Sequence, residues 1–221
     1  MSQVYPAIFK CPKCSTLIFD HMYLSGNFIN AKHFSDTHIE GPMIMQPWIN
    51  YVGCPVCGVV FKKNEHVEKS LLEEVLNDKE GFKTATDETK PGLPLYKMAK
   101  ILYENREPDN DGSQFLLWYL WAFNHLLKDD EKKDEEGVGD YKKYTSALLS
   151  CIEKQLARPE ANLLKVEVLR ERGDFDAANR ALECVENKFP QRFQAVIKEQ
   201  RLRIANKNRD VFAVDNLQNI I

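Results

Sequence analysis

Cys11-Pro12-Lys13-Cys14 and Cys54-Pro55-Val56-Cys57-Gly58 are the two stretches on which the reading of this chain turns. Two residues between the thiols let both sulfurs point into one pocket while the backbone turns around it. Two such turns can close a tetrahedral site of four sulfurs around Zn²⁺. Thiolate softness favours zinc in such a site. The expected ligands are Cys11, Cys14, Cys54 and Cys57, holding one structural ion. Four thiolates leave no open position for a substrate or an activated water, so no catalytic residue is assigned there. An ion of this kind contributes folding free energy on the order of 10 kcal/mol to a small module. A module of this size has little core of its own to replace it.

The segments flanking each turn are rich in β-formers. Ile8-Phe9-Lys10 enters the first turn, and Ser15-Thr16-Leu17-Ile18-Phe19 leaves it. Asn50-Tyr51-Val52-Gly53 enters the second, and Val59-Val60-Phe61-Lys62 leaves it. Strand, knuckle, strand, twice over, predicts a small β-rich domain at residues 1–66. Gly58 follows the last thiol, where positive φ is often needed. Ser15 holds the matching place in the first knuckle and suits it less well. The stretch between the knuckles, residues 15–53, exceeds the usual spacing of roughly 15–20 residues. An insertion is implied over Asp20 to Trp48, with Gly26, Asn27, Gly41, Pro42 and Pro47 as turn makers. Extra strands or an ordered loop over the metal domain are expected from it.

Beyond His66 the period changes. Val67, Leu71, Val75 and Leu76 mark a short helix with Asn64 as its N-cap. Lys79 to Gly92 is polar and ends in Lys90-Pro91-Gly92, so residues 67–92 read as a short helix and linker. Pro94 can start a helix that turns Leu95, Met98, Ile101 and Leu102 inward. Ser113 can cap the aromatic helix that follows. Lys128 to Gly139 is dense in mixed charge and reads as a solvated loop. Gly139-Asp140-Tyr141 recurs as Gly173-Asp174-Phe175, an offset of 34 residues. The second copy is followed by an apolar stripe, Phe175, Ala178, Leu182, Val185 and Phe189, closed by Pro190. This pattern suggests tetratricopeptide-like (TPR-like) helical hairpins, whose period is about 34 residues. The expected fold class is therefore α+β: a β-rich metal domain, then an all-α, TPR-like domain over residues 93–221.

The bulk numbers exclude several classes. The chain has 221 residues, 43% of them hydrophobic and 29% charged, with a net charge of −3. That balance gives no global pull toward nucleic acid or anionic lipid. The N-terminal residues lack a basic stretch and a long apolar run, so no signal peptide is expected. The most apolar window, Phe115 to Leu127, falls short of the about 20 residues that span a bilayer. A cytoplasmic protein with reduced thiols is expected, without membrane association. Cys151 and Cys184 stand alone in amphipathic segments and read as small buried core residues.

Two other features compete with a purely structural reading. His33, Asp36, His38 and Glu40 crowd together, with His21 upstream. They could form a second metal site or an acid–base set, which would make the chain a metal-dependent enzyme. They also suit a partly exposed loop or strand. Nucleic-acid binding is the other alternative. Yet residues 1–66 carry no arginine, and Lys10, Lys13, Lys32, Lys62 and Lys63 are nearly balanced by Asp20, Asp36, Glu40 and Glu65. Clustered Lys and Arg, which phosphate contacts require, are missing there. The basic run of Arg192, Lys198, Arg201, Arg203, Lys207 and Arg209 reads as the solvated face of a terminal helix. Trp118, Tyr119, Trp121 and Phe123 read as core, because aromatics occur on several faces of their helix.

Two Cys-Pro-Xaa-Cys knuckles ahead of a TPR-like helical tail resemble bacterial zinc-ribbon proteins of no assigned activity. Leu24-Ser25-Gly26-Asn27, Phe34-Ser35-Asp36 and Gly41-Pro42-Met43, ahead of the second knuckle, are similar to a stretch of such proteins. The resemblance covers roughly residues 9–66. It implies zinc on Cys11, Cys14, Cys54 and Cys57. The leading expectation is a non-enzymatic zinc-binding protein whose helical domain offers a surface to a protein or peptide partner.

Overall fold

The computed structural model describes residues 4–23, 31–40, 47–67, 89–126, 135–185, 189 and 191–214. The chain divides into two compact units. The first comprises Met1–Ile29 and Pro42–Asn110, the second Asn30–Gly41 and Asp111–Ile221.

The first unit is built from strands. β1 (Val4–Lys10) and β2 (Leu17–Tyr23) pair antiparallel, with Phe9 opposite Ile18 and Lys10 opposite Leu17. β5 (Tyr51–Gly53) and β6 (Val60–Lys62) form a second antiparallel pair, with Val52 opposite Phe61. Each pair is joined by one Cys-Xaa-Xaa-Cys turn, as the flanking β-formers predict. Ala7, Phe9, Ile18, Val52 and Phe61 bury their side chains in one cluster with Cys11 and Cys54. The apolar core and the thiols are thus a single body. Lys63 is buried as well. Its ammonium pairs with the Asp20 carboxylate at 2.8 Å and donates to the His21 carbonyl at 2.9 Å.

Lys90-Pro91 is not linker but a short strand, β7, paired parallel with Ile18 and Phe19 of β2. Proline cannot donate to a ladder, which suits this terminal place in the sheet order β1-β2-β7. Leu93 then donates its N–H to the Gly53 carbonyl at 2.9 Å. A Cβ on Gly53 would lie 2.8 Å from Leu93 Cβ, so only glycine permits that approach. Helix α1 (Leu95–Glu104) follows Pro94 and buries Leu95, Met98 and Ala99, while Ile101 and Leu102 are half-buried. Asn64 lies within a 3₁₀ turn, Lys63–Glu65, and does not cap a helix. Beyond Val67, the helix expected over residues 67–76 and the linker as far as residue 88 lie outside the described residues.

Among the described residues, the regular structure of the second unit is helical except for one hairpin, β3 (Lys32–His33) and β4 (Ile39–Glu40). The strands expected from the insertion therefore form, and they group with the helices. Phe34 bridges to Ala213, Ser35 N–H donates to the Phe212 carbonyl at 2.9 Å, and Val214 N–H donates to the His33 carbonyl at 2.7 Å. The helices are α2 (Ser113–Trp121), α3 (Glu135–Glu153), α4 (Pro159–Glu171), α5 (Phe175–Val185) and α6 (Gln194–Ala205). A π-helical turn, Ala122–Leu126, extends α2. Asp111 takes the Ser113 N–H at 2.9 Å, so the aspartate, not Ser113, supplies the polar start of α2.

Helix α4 is the centre of this unit. Leu163, Leu164 and every residue from Val166 to Glu171 are buried. The α5 stripe packs as its spacing predicts, with Ala178, Leu182 and Phe189 buried beside Val196, Ile197 and Ile204. Gly173 turns between α4 and α5 with φ of 83°. Gly139 does not play the matching part, because it lies inside α3. Of the loop expected over Lys128 to Gly139, residues 135–139 are helical instead, and residues 128–134 lie outside the described residues. Cys151 is buried and Cys184 is exposed, so only the first is a core residue.

Candidate metal centre

The two knuckles share one backbone design. Cys11 N–H donates to the Thr16 carbonyl at 2.9 Å, and Ser15 N–H donates back to the Cys11 carbonyl at 2.9 Å. The second knuckle repeats this with Cys54 to Val59 at 2.8 Å and Gly58 to Cys54 at 3.0 Å. Ser15 and Gly58 both take positive φ, 58° and 73°. The corner that Gly58 predicts is thus present twice, once on a serine.

These turns bring all four thiols together. The Sγ atoms of Cys11, Cys14, Cys54 and Cys57 lie within 4.8 Å of one another. The closest pairs run across the knuckles: Cys11 to Cys57 at 3.5 Å and Cys14 to Cys54 at 3.5 Å. A disulfide needs about 2.0 Å, so these are free thiols. A tetrahedron with metal–sulfur bonds of about 2.3 Å has sulfur–sulfur edges of about 3.8 Å. The observed spacing brackets that edge, so the four sulfurs could hold a metal ion without rearranging the turns.

The electrostatics of the thiols fit the same conclusion. The Thr16 hydroxyl lies 3.1 Å from Cys14 Sγ. That contact, with the Thr16 backbone, pulls the Cys14 thiol down to about 6. At Cys57 the Val59 backbone pulls the same way, but burial and the three neighbouring thiols outweigh it and push the thiol up to about 12. One negative charge forms readily here, and further ones are resisted. A divalent cation at the centre reverses that resistance, because it stabilises every thiolate at once. Cys11 and Cys54 are buried, Cys57 is half-buried and Cys14 is exposed.

The residues of the histidine-rich insertion are placed differently. The four cysteines are the one group of three or more possible ligands that converges among the described residues. His33, Asp36 and His38 do not assemble a metal site there, and the Glu40 side chain lies outside the described residues. His21 is in the first unit, beside Asp20.

Asp36 anchors the hairpin to the helices instead. It is fully buried. Its carboxylate accepts from His38 N–H at 3.1 Å and Asn124 Nδ2 at 2.9 Å, and lies 3.0 Å from His125 Nε2. Its carbonyl accepts from Trp121 Nε1 at 2.8 Å. The His38 and His125 rings lie against each other with centroids 4.2 Å apart and planes tilted by 37°.

Asn124 also donates to Glu171 Oε2 at 2.9 Å, which joins the hairpin to a buried polar chain on α4. Arg170 donates to Glu167 at 2.6 Å, to Gln200 at 3.1 Å and to the Asn208 carbonyl at 2.6 Å. Gln200 Nε2 and Ser35 Oγ also donate to Glu167. Glu171 Oε1 is a buried oxygen without a hydrogen-bond partner among the described residues. Burial, with the charges of Glu167 and Asp36, holds the Glu171 carboxyl well above the ordinary range.

Reasoning from the sequence missed Asn124, His125, Glu167, Arg170 and Glu171. One signal for the last three was available. Glu167, Arg170 and Glu171 fall at i, i+3 and i+4 amid Leu163, Leu164, Val166, Val168 and Leu169. Charges set into an apolar helix are buried only as mutually satisfied groups. No helix among the described residues is long and apolar enough to cross a membrane. The chain matches no family model, no curated protein and no solved structure.

Proposed function

We propose that this chain is a zinc-ribbon protein with a structural rather than catalytic metal. One Zn²⁺ is bound by Cys11, Cys14, Cys54 and Cys57. The observation that carries this reading is the convergence of four sulfurs to within 4.8 Å at tetrahedral spacing. Zinc is preferred over other ions by the all-thiolate donor set. With four protein ligands the ion has no position left for substrate, so its role is to hold the two knuckles together. Reduced thiols of this kind suit the cytoplasm.

The helical unit, in this reading, presents TPR-like hairpins to a protein or peptide partner. The α4–α5 hairpin with its Gly173 turn supports that assignment. Exposed Leu202 on α6, 55% accessible, offers an apolar contact on the outer surface.

Elemental analysis of protein purified without added metal tests the core of the proposal. One zinc per chain is expected, released in step with modification of four thiols. Replacing Cys11 and Cys54 together by serine should abolish binding. Metal-free protein with protected first-unit amides would refute the assignment. For the second part, crosslinking in cell extract with Leu202→Asp as comparison should show a partner that the variant loses.

A further inference from the structure

A cavity of about 340 Å³ opens in the second unit beside the Asp36–His125 pair, with Phe34, Phe123, Tyr141, Glu171, Arg209 and Asp210 on its walls; the Glu171 carboxyl is held well above the ordinary range and so adds little negative charge there. Its size is that of a small-molecule site. The chemistry of the walls narrows the ligand.

Most charges around the cavity are already matched. Glu167 is held by Arg170 at 2.6 Å. Asp36 is engaged by His125, Asn124 and the His38 backbone. Tyr141 turns its hydroxyl to Glu171 Oε2 at 3.4 Å. Arg209 differs. Its Nε donates to the Glu171 carbonyl at 2.6 Å, which fixes the plane of the guanidinium. Its terminal nitrogens make no hydrogen bond among the described residues. An anchored guanidinium with free donors is suited to a carboxylate, which it can grip by two parallel hydrogen bonds.

The other walls are aromatic. Phe34 stands edge-on to His125 at 4.7 Å, and Phe123 lies against Tyr141 at 4.2 Å. Such rings favour a flat apolar body. Asp210, exposed at the rim, disfavours a second negative charge. We infer that this cavity binds a small aromatic monocarboxylate, its carboxylate on Arg209 and its ring against Phe34 and Phe123. The site lies entirely in the helical unit and is independent of the proposed zinc.

Calorimetric titration of the full-length, metal-loaded chain with benzoate and phenylacetate tests this, with benzamide and benzylamine as the neutral and cationic counterparts. At least one carboxylate should bind saturably, with benzamide and benzylamine weaker by about tenfold or more. Arg209→Gln should weaken carboxylate binding by a similar factor while leaving the helical circular dichroism unchanged. Lys198→Gln, on the exposed face of α6, should leave it intact. The inference is overturned if neither carboxylate binds the unaltered protein, or if benzamide or benzylamine binds as well as the carboxylates. Equal binding by a folded Arg209→Gln variant overturns it too.

Discussion

Ser15 and Gly58 occupy the same corner of the two knuckles, yet only glycine takes that backbone without strain. A left-handed conformation costs a non-glycine residue about 1–2 kcal/mol. Ser15→Gly should therefore stabilise the first unit by up to about 1 kcal/mol, part of the gain being lost to the more flexible unfolded chain. Gly58→Ala should destabilise it by about 1 kcal/mol. A Cβ on Gly58 would meet nothing within 4 Å, so the cost is in the backbone alone. Denaturant midpoints of the metal-loaded proteins measure both, and equal destabilisation by the two changes would contradict the shared geometry. Glu171 supplies a second prediction. Its carboxyl is held above the ordinary range by burial and by the Glu167 and Asp36 charges. A raised folded-state value binds the proton more tightly than the unfolded chain does. Its stabilising effect is full below the ordinary carboxylate range and is lost as pH rises through the elevated value. Glu171→Gln should flatten that decline, matching the unaltered protein below the ordinary carboxylate range and exceeding it as pH rises above it. Thermal melts across pH decide it, and parallel curves for the two proteins would count against a protonated Glu171.

At the scale of elements, the β3–β4 hairpin is the informative piece. Its turn is closed by Phe34 N–H donating to the His38 carbonyl at 2.9 Å and by Thr37 at φ of 69°. The hairpin is too short to be stable by itself. It is held by Asp36, whose buried carboxylate satisfies donors from the hairpin and from the π-helical turn. Asp36→Ala removes that acceptor, strands His125 and takes one acceptor from Asn124. A loss of about 3 kcal/mol from the second unit is expected. It should be read from denaturation followed by Trp121 fluorescence, with metal content unchanged. Unaltered stability would mean that the carboxylate does not anchor the hairpin. The helices were legible to different degrees. The α5 stripe announced its buried face because spacings of three and four leave one choice. Gly139 and Gly173 looked alike in sequence, but only Gly173 is followed by a short helix that must reverse direction. Around Gly139, helical hydrogen bonding and the burial of Tyr141 and Tyr144 outweigh glycine's poor propensity. Lys90-Pro91 read as linker because two residues of strand carry no period, and only the open edge of β2 recruits them.

For the molecule as a whole, the metal and the fold of the first unit should stand or fall together. Two of the proposed ligands, Cys11 and Cys54, are also members of its apolar cluster. Chelation should therefore expose the amides of β1, β2, β5 and β6 to hydrogen exchange, while most of the helical signal survives in the second unit. Retained protection of those strands after complete metal removal would sink this expectation. The sequence by itself determined the two knuckles, their flanking strands, the positive-φ corner at Gly58 and the buried face of α5. Each rests on local spacing or on the conformational range of one residue. The joining of Cys11 and Cys54 to the apolar cluster, the grouping of residues 30–41 with the helices and the choice of Asp36 as an anchor were decided only in three dimensions. The physical reason is common to them. A buried carboxyl or a thiol is defined by its partners, and partners such as Asn124 and His125 lie far from Asp36 along the chain, where neither period nor propensity connects them.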